Sequence, residues 1–333
     1  MAEFQSPHPR EVYDLQGQEE AEVAFEAARG RGRLHHAWLL TGPEGVGKAT
    51  FAYRAARRLL GAPAYPDLGV LGADPSHPVA RQVAARSHPD LFVLEREGPD
   101  GKPRRVIPVD DARKLSEFFS KSPASAPHRV AIIDAADDLN PNAANAILKT
   151  LEEPPPRGVL LMVSHSPGRL LPTVRSRCRR LAFPPLGVEA TADFMRARTE
   201  ANPEDALRLA HMAEGAPGRA LTLAANNALV IDDAARELIS NLPQVDPARA
   251  LSLAEKFRGG EGSAQFQLLF ERLSDRVHDL AMDHAGQGIG GLDGWAQAWE
   301  VLQRLPREVE GLNLDRTDAL FTALGELRRA ARA

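Results

Sequence analysis

At 333 residues with 43% hydrophobic side chains, the chain has enough material for two or three domains with real cores. A formal net charge of −4 excludes a global field that would draw it to DNA, so any nucleic-acid contact must come from a local patch. There is no apolar run long enough to span a bilayer and no leader pattern in the polar opening MAEFQSPHPREVYD, so the expectation is a cytoplasmic protein with no membrane partner; the single cysteine, Cys178, excludes internal disulfides and agrees with a reducing compartment.

In chain order, residues 1 to about 184 alternate helical patterns with short apolar strands, the signature of a parallel sheet with crossover helices. The segment AARGRGRL places Arg29, Arg31 and Arg33 after a helix end. They are the clearest cationic patch, although cations at a helix C-terminus also complement its dipole, and that is the preferred reading. HAWLLTG then reads as a buried strand ending at Gly42, and KATFAYRAARRLL, from Lys48, as a helix.

Between strand and helix lies GPEGVGKAT. Gly42, Gly45 and Gly47 let backbone amides curl around a phosphate, the helix N-terminus adds partial positive charge, and Lys48 supplies a full charge for the outer phosphates. A G-x-x-x-x-G-K run between strand and helix is a specific signal. The next position departs from the pattern: Ala49 stands where a Ser or Thr hydroxyl would bind magnesium. Thr50 points about 100° further round the helix and is no replacement.

DLFVLERE and RRVIPV read as further strands, followed by RVAIID, which ends in Asp134. Asp134 suits the metal-side carboxylate of an acidic strand, yet the position that should hold a water-activating glutamate is Ala135. A general base contributes about 10²- to 10⁴-fold, so hydrolysis by this chain is expected to be lost. Asp137 and Asp138 read as a polar lead into the next helix. That helix, NPNAANAILKTLEE, has Asn140 as N-cap, Pro141 at its first position, Pro154 as its stop, and Ala144, Ile147, Leu148 and Leu151 on one apolar face. A strand GVLLMVSH carries the polar Ser164 near its end, and SPGRLLPTVRSRC sets Arg177 between Ser176 and Cys178.

From about Pro185 the strand signals stop. The rest reads as helical, broken at Asn202-Pro203, at GAPGR, at Asn241–Pro243 and across GQGIGGLDG. The expected division is 1–184 as the nucleotide-binding-like domain, 185–228 as a small helical lid and 229–333 as a helical collar. Phe266, Leu269, Phe270, Leu273, Val277 and Leu280, and again Leu320, Phe321, Leu324 and Leu327, follow helical spacing as a bundle core; Trp295 and Trp299 share a helix face.

Taken together, GPEGVGKAT, NAANAILKTLEEPP and RLLPTVRSRC, in that order and spacing, resemble the clamp-loader branch of the AAA+ family. With LHHAWLLTGPEGVGKAT and the missing glutamate, the similarity is strongest to its delta-prime members in bacterial DNA polymerase III. The resemblance covers roughly Leu34 to Phe183. It implies an α/β AAA+ domain followed by all-helical lid and collar domains, in a subunit that does not hydrolyse ATP itself. Its partners would be the gamma/tau ATPase and the delta subunit of a heteropentamer that loads the sliding clamp onto primed DNA. It implies further that Arg177 acts as an arginine finger in a neighbouring subunit's site, that Ser164 matches the polar sensor at the strand end, and that Arg219 of GAPGRAL matches the lid arginine that touches the terminal phosphate. ATP or ADP binding would be weak or vestigial. Many relatives carry a four-cysteine zinc module after the loop helix; here that segment has no cysteine, and His77 and His88 fall short of a tetrahedral site, so no structural zinc is expected. The alternatives are an active AAA+ motor, which requires a carboxylate this sequence lacks, and a small-molecule P-loop kinase, which has no use for a Ser-Arg-Cys finger or an all-helical final third.

Overall fold

The computed structural model describes residues 6–96, 104–259, 262–287 and 290–332. The chain separates into two compact units that divide between Leu221 and Thr222. The last residue of the DLFVLERE reading, the centre of GQGIGGLDG and the first five residues lie outside the described residues.

The first unit is built on five parallel strands, β1 (Ala37–Thr41), β2 (Leu91–Glu95), β3 (Arg129–Asp134), β4 (Gly158–Ser164) and β5 (Arg179–Ala182), in the order β2-β3-β4-β1-β5. Around them lie helices α1 (Glu19–Gly30), α2 (Lys48–Leu59), α3 (Pro78–Ala84), α4 (Val109–Phe119), α5 (Pro141–Glu152) and the short α6 (Pro172–Arg175). The strand period of two divides the core. Trp38, Leu40, Val130, Ile132, Leu161 and Val163 face one layer with Phe25 of α1 and Phe51 of α2, whereas Leu39, Ala131, Ile133 and Met162 face the other with Leu115 of α4 and Ile147 of α5. The helix after β3 begins as its sequence dictates: the Asn140 side chain accepts from Ala143 N at 2.8 Å, with Pro141 at the first position.

Two strand readings need correction. RRVIPV forms no strand; Ile107 makes only a parallel bridge to Leu139, and Pro108, which has no N–H to give a ladder, instead caps α4. Conversely, RRLA, whose consecutive Arg179 and Arg180 give no strand signal, is the edge strand β5 beside β1. An edge strand tolerates such charges. Arg179 lies over the Trp38 ring at 4.8 Å and Arg180 Nε donates to Thr41 Oγ1 at 3.0 Å.

After the sheet come α7 (Val188–Arg198), α8 (Pro203–Met212) and α9 (Pro217–Ala225). The second unit continues with α10 (Ala228–Ser240), α11 (Pro247–Glu255), α12 (Gly262–Gln287), α13 (Leu292–Leu312) and α14 (Arg316–Ala330). Phe266, Leu269, Phe270, Leu273 and Val277 are buried in α12 and Leu320, Leu324 and Leu327 in α14, with Leu280 and Phe321 half-buried beside them. Trp295 enters this core, but Trp299 remains 41% exposed. The helices also break at Asn226-Asn227 and Asn313, both held in left-handed backbone by the second Asn of the pair or by Asn313 itself, punctuation that Asn tolerates without glycine. No helix among the described residues is long and apolar enough to cross a membrane.

Candidate phosphate-binding site

The loop between β1 and α2 sits at the C-terminal edge of the sheet, where parallel α/β folds place their ligands. Gly45 is at φ 80°, and a Cβ there would lie 2.2 Å from the backbone nitrogen of Arg219; only glycine permits both the left-handed turn and that approach. The start of α9 is thereby laid on the loop, with Gly218 N donating to Gly45 O at 2.7 Å. A Cβ at Gly42 would meet the carbonyl oxygen of Phe183 at 2.1 Å. On the remaining side Leu15 packs against Gly47, and Gln18 Nε2 donates to Val46 O at 3.2 Å and Pro184 O at 2.8 Å. The loop is held from three directions.

Lys48 is 3% exposed. Its amine donates to Gly42 O at 2.6 Å and to Pro43 O, both carbonyls of its own loop. Burial pulls its pKa down to about 8, opposed by attraction to Asp134, Glu44 and Asp137. Asp134 is displaced the other way, up to about 6, by burial and by repulsion from Glu95, with Lys48 pulling against both. The two groups thus face each other across a desolvated site, each biased toward its neutral form. A bound phosphate would favour the charged form of the lysine.

The departures from the motif have structural places. Ala49 packs against the core beneath the loop, and Ala135 is buried at 4% exposure, so neither offers a polar group. Sequence reasoning missed what Asp137 does. It is not a polar lead into a helix: its carboxylate accepts from Ser164 Oγ at 2.9 Å, His165 N at 2.5 Å and Ser166 N at 3.3 Å. It thereby fixes the end of β4 and leaves the fully buried Ser164 donating to a carboxylate. Asp138 is paired with Arg96 at 3.0 Å. A carboxylate three residues past a strand end is the only sequence signal for this, and it does not name the partner strand.

The structure therefore brings Gly42, Gly45, Gly47, Lys48, Asp134, Ser164 and Arg219 to one edge of the sheet. Arg219 is also paired with Glu214 at 3.6 Å. Arg177 is apart from them, after α6. Its guanidinium, about one-third exposed, pairs with Glu152 at 2.9 Å and donates to Thr173 O at 2.9 Å. Cys178 beside it lies 3.9 Å from Met162 Sδ, and burial pushes its thiol up to about 12, an unreactive filler. His77 caps α3 by accepting from Val79 N, and His88 accepts from Asp90 N. Among the described residues no group of His, Cys, Asp and Glu is placed to hold a metal.

Residues 17–187 match the family model described as DNA polymerase III, delta subunit. A DNA polymerase III subunit delta' from Pseudomonas aeruginosa is 40% identical over 190 residues, covering 56% of this chain and 55% of its own length. The subunit delta' of Bacillus subtilis is 32% identical over 182 residues, covering 54% and 51%. The subunit tau of Escherichia coli is 30% identical over 305 residues, covering 88% of this chain and 42% of its own. The chain spans about half the length of the curated relatives it matches.

Proposed function

We propose, because this chain belongs to the family described as DNA polymerase III, delta subunit, that it is a largely non-hydrolysing subunit of a clamp loader. In this reading it stands in a heteropentamer with gamma/tau ATPase subunits and a delta subunit, and helps place a sliding clamp on primed DNA. Its sheet domain, a lid at 185–228 and a collar at 229–333 are the parts it would bring to that ring.

One observation carries the reading: the carboxylates that follow β3, where the water-activating glutamate should stand, are committed elsewhere. Ala135 is buried without a polar group, Asp137 is held by three donors from the end of β4, and Asp138 by Arg96. From β3 and the turn after it, a water molecule at a terminal phosphate would find Asp134, which suits a metal side rather than proton abstraction. The loop amides, Lys48 and Arg219 would hold the phosphates of ATP or ADP. With Ala49 in the magnesium position, that binding would be weak and serve shape rather than turnover.

Arg177 supports the second half of the reading. It is a guanidinium about one-third exposed, held by Glu152 and Thr173 O and apart from its own chain's phosphate loop. As a finger into a neighbour's site it would be worth about 10³- to 10⁵-fold in rate. The test is reconstitution with a gamma/tau partner, delta and clamp. Arg177→Ala should assemble but lose most of the DNA-stimulated ATP hydrolysis; an unchanged rate in an intact assembly removes the finger.

A further inference from the structure

The basic turn at the end of α1 has no part in that reading, and the fold enlarges it. In a parallel sheet all strands begin at one edge. Here Arg157 precedes β4, His128 precedes β3, and His35 and His36, stacked at 4.4 Å, precede β1. Helices α1 and α2 end at the same edge, bringing Arg29, Arg31, Arg33 and Arg58. Arg29 and Arg58 lie within electrostatic reach of each other, and Arg29 and Arg157 both reach His128, whose ring is bound to the Leu59 backbone and whose Nδ1 is buried without a hydrogen-bond partner. The strand β1 is five residues long, so this edge stands roughly 15–20 Å from the phosphate loop.

Helix dipoles account for only part of the charge. Two helix C-termini offer about −0.5 each, and the carboxylate that pairs into the cluster is Glu26, on Arg29. Glu152, on the same edge, is taken by Arg177. Against these, and the exposed Glu153 that follows α5, stand five arginines, of which Arg31, Arg33 and Arg157 make no ion pair among the described residues, a surplus of roughly two positive charges. Arg157 and Arg31 are exposed. The turn is open as well: a Cβ at Gly30 or Gly32 would meet nothing within 4 Å.

We propose that this edge binds the phosphate backbone of nucleic acid directly. All the permanent cations are guanidiniums, whose planar forks match phosphate oxygens, and they come from three separate chain segments, as a long polyanion would require. An acidic protein partner would need apolar anchors at the centre of its footprint, and none of the exposed large hydrophobics belongs to these turns. The overall charge of −4 means that binding, if seen, comes from this patch and not from the molecule's field.

The experiment is fluorescence anisotropy of a labelled primed duplex with the full chain between 50 and 200 mM salt. Engaging about four phosphates predicts a log–log slope near −3.6 and a roughly hundredfold loss of affinity over that range. Arg31→Glu with Arg157→Glu should weaken binding at least tenfold at low salt. Arg113→Glu with Lys121→Glu, exposed cations associated with α4, changes net charge equally and should leave most of the affinity. Circular dichroism checks folding; should the reversal pair unfold, Arg31→Ala with Arg157→Ala decides, with about a fivefold loss expected. Equal losses in both pairs, a flat salt dependence, or patch-dependent binding of polyglutamate but not of DNA overturns the proposal.

Discussion

Lys48 and Arg54 lie on one helix, less than two turns apart and both almost wholly buried, yet the fold treats them in opposite ways. Arg54 is saturated: Nε donates to Glu22 at 2.7 Å, one terminal nitrogen to Tyr13 O and the other to Leu68 O at 2.6 Å. One turn on, Arg57 lies over the Tyr13 ring at 3.9 Å and donates to Val12 O and Arg10 O. Together they strap residues 10–13 to the back of the loop helix. Lys48 has no carboxylate in contact, only carbonyls of its own loop, and its pKa has fallen to about 8. A buried charge with a carboxylate partner, as in Arg54, is architecture; Lys48, bonded only to carbonyls of the phosphate loop, would be open to an anion there.

The contrast can be broken by mutation. The largest effect belongs to the strap. Arg54→Met leaves Glu22 charged and buried and frees two carbonyls, so unfolding should show a loss of about 3–5 kcal/mol, read as a lowered midpoint in chemical denaturation of the full chain. A variant as stable as the parent would mean that Arg54 is no more structural than Lys48.

Next is Asp134→Asn, with the opposite sign. The native pKa of about 6 stands above the ordinary carboxylate value, so the ionised form favours unfolding. No penalty exists below about pH 4; it grows from there to about pH 6 and stays constant above. The variant should therefore be more stable than the parent by up to about 3 kcal/mol at pH 7 and equal to it near pH 4. A gain independent of pH, or a loss at pH 7, would show that Asp134 belongs with the strap. The smallest effect is at Arg177. Its half-exposed pair with Glu152 should be worth less than about 1 kcal/mol to folding, so Arg177→Ala separates stability from the transfer of a guanidinium to a partner.

These differences mark where the sequence is legible. Gly42 to Lys48, Asp134 and Ser164 can be read locally, because a strand, a turn and a helix N-terminus are written in consecutive residues. The strap cannot: Arg54 and Arg57 look like the exposed face of an amphipathic helix, and the groups that justify burying them come from residues 10–13, Glu22 and Leu68. Asp137 likewise finds its donors 27 to 29 positions away. The approach of Arg219 to Gly45 spans most of the first unit and follows from motif resemblance, not from periodicity. RRVIPV and RRLA mislead for different reasons. Strand propensity favours the Val-Ile pair, but Pro108 withholds a donor, while β5 tolerates two arginines because one of its edges is unpaired.

The central claim is that this chain kept a cradle for phosphate and lost the means to activate water at it. Steady-state ATP turnover by the isolated chain, with Lys48→Met as its control, tests that directly. The account predicts a rate indistinguishable from that of the control. Turnover of about 1 s⁻¹ or more, within the ordinary enzymatic range and abolished by Lys48→Met, would contradict it.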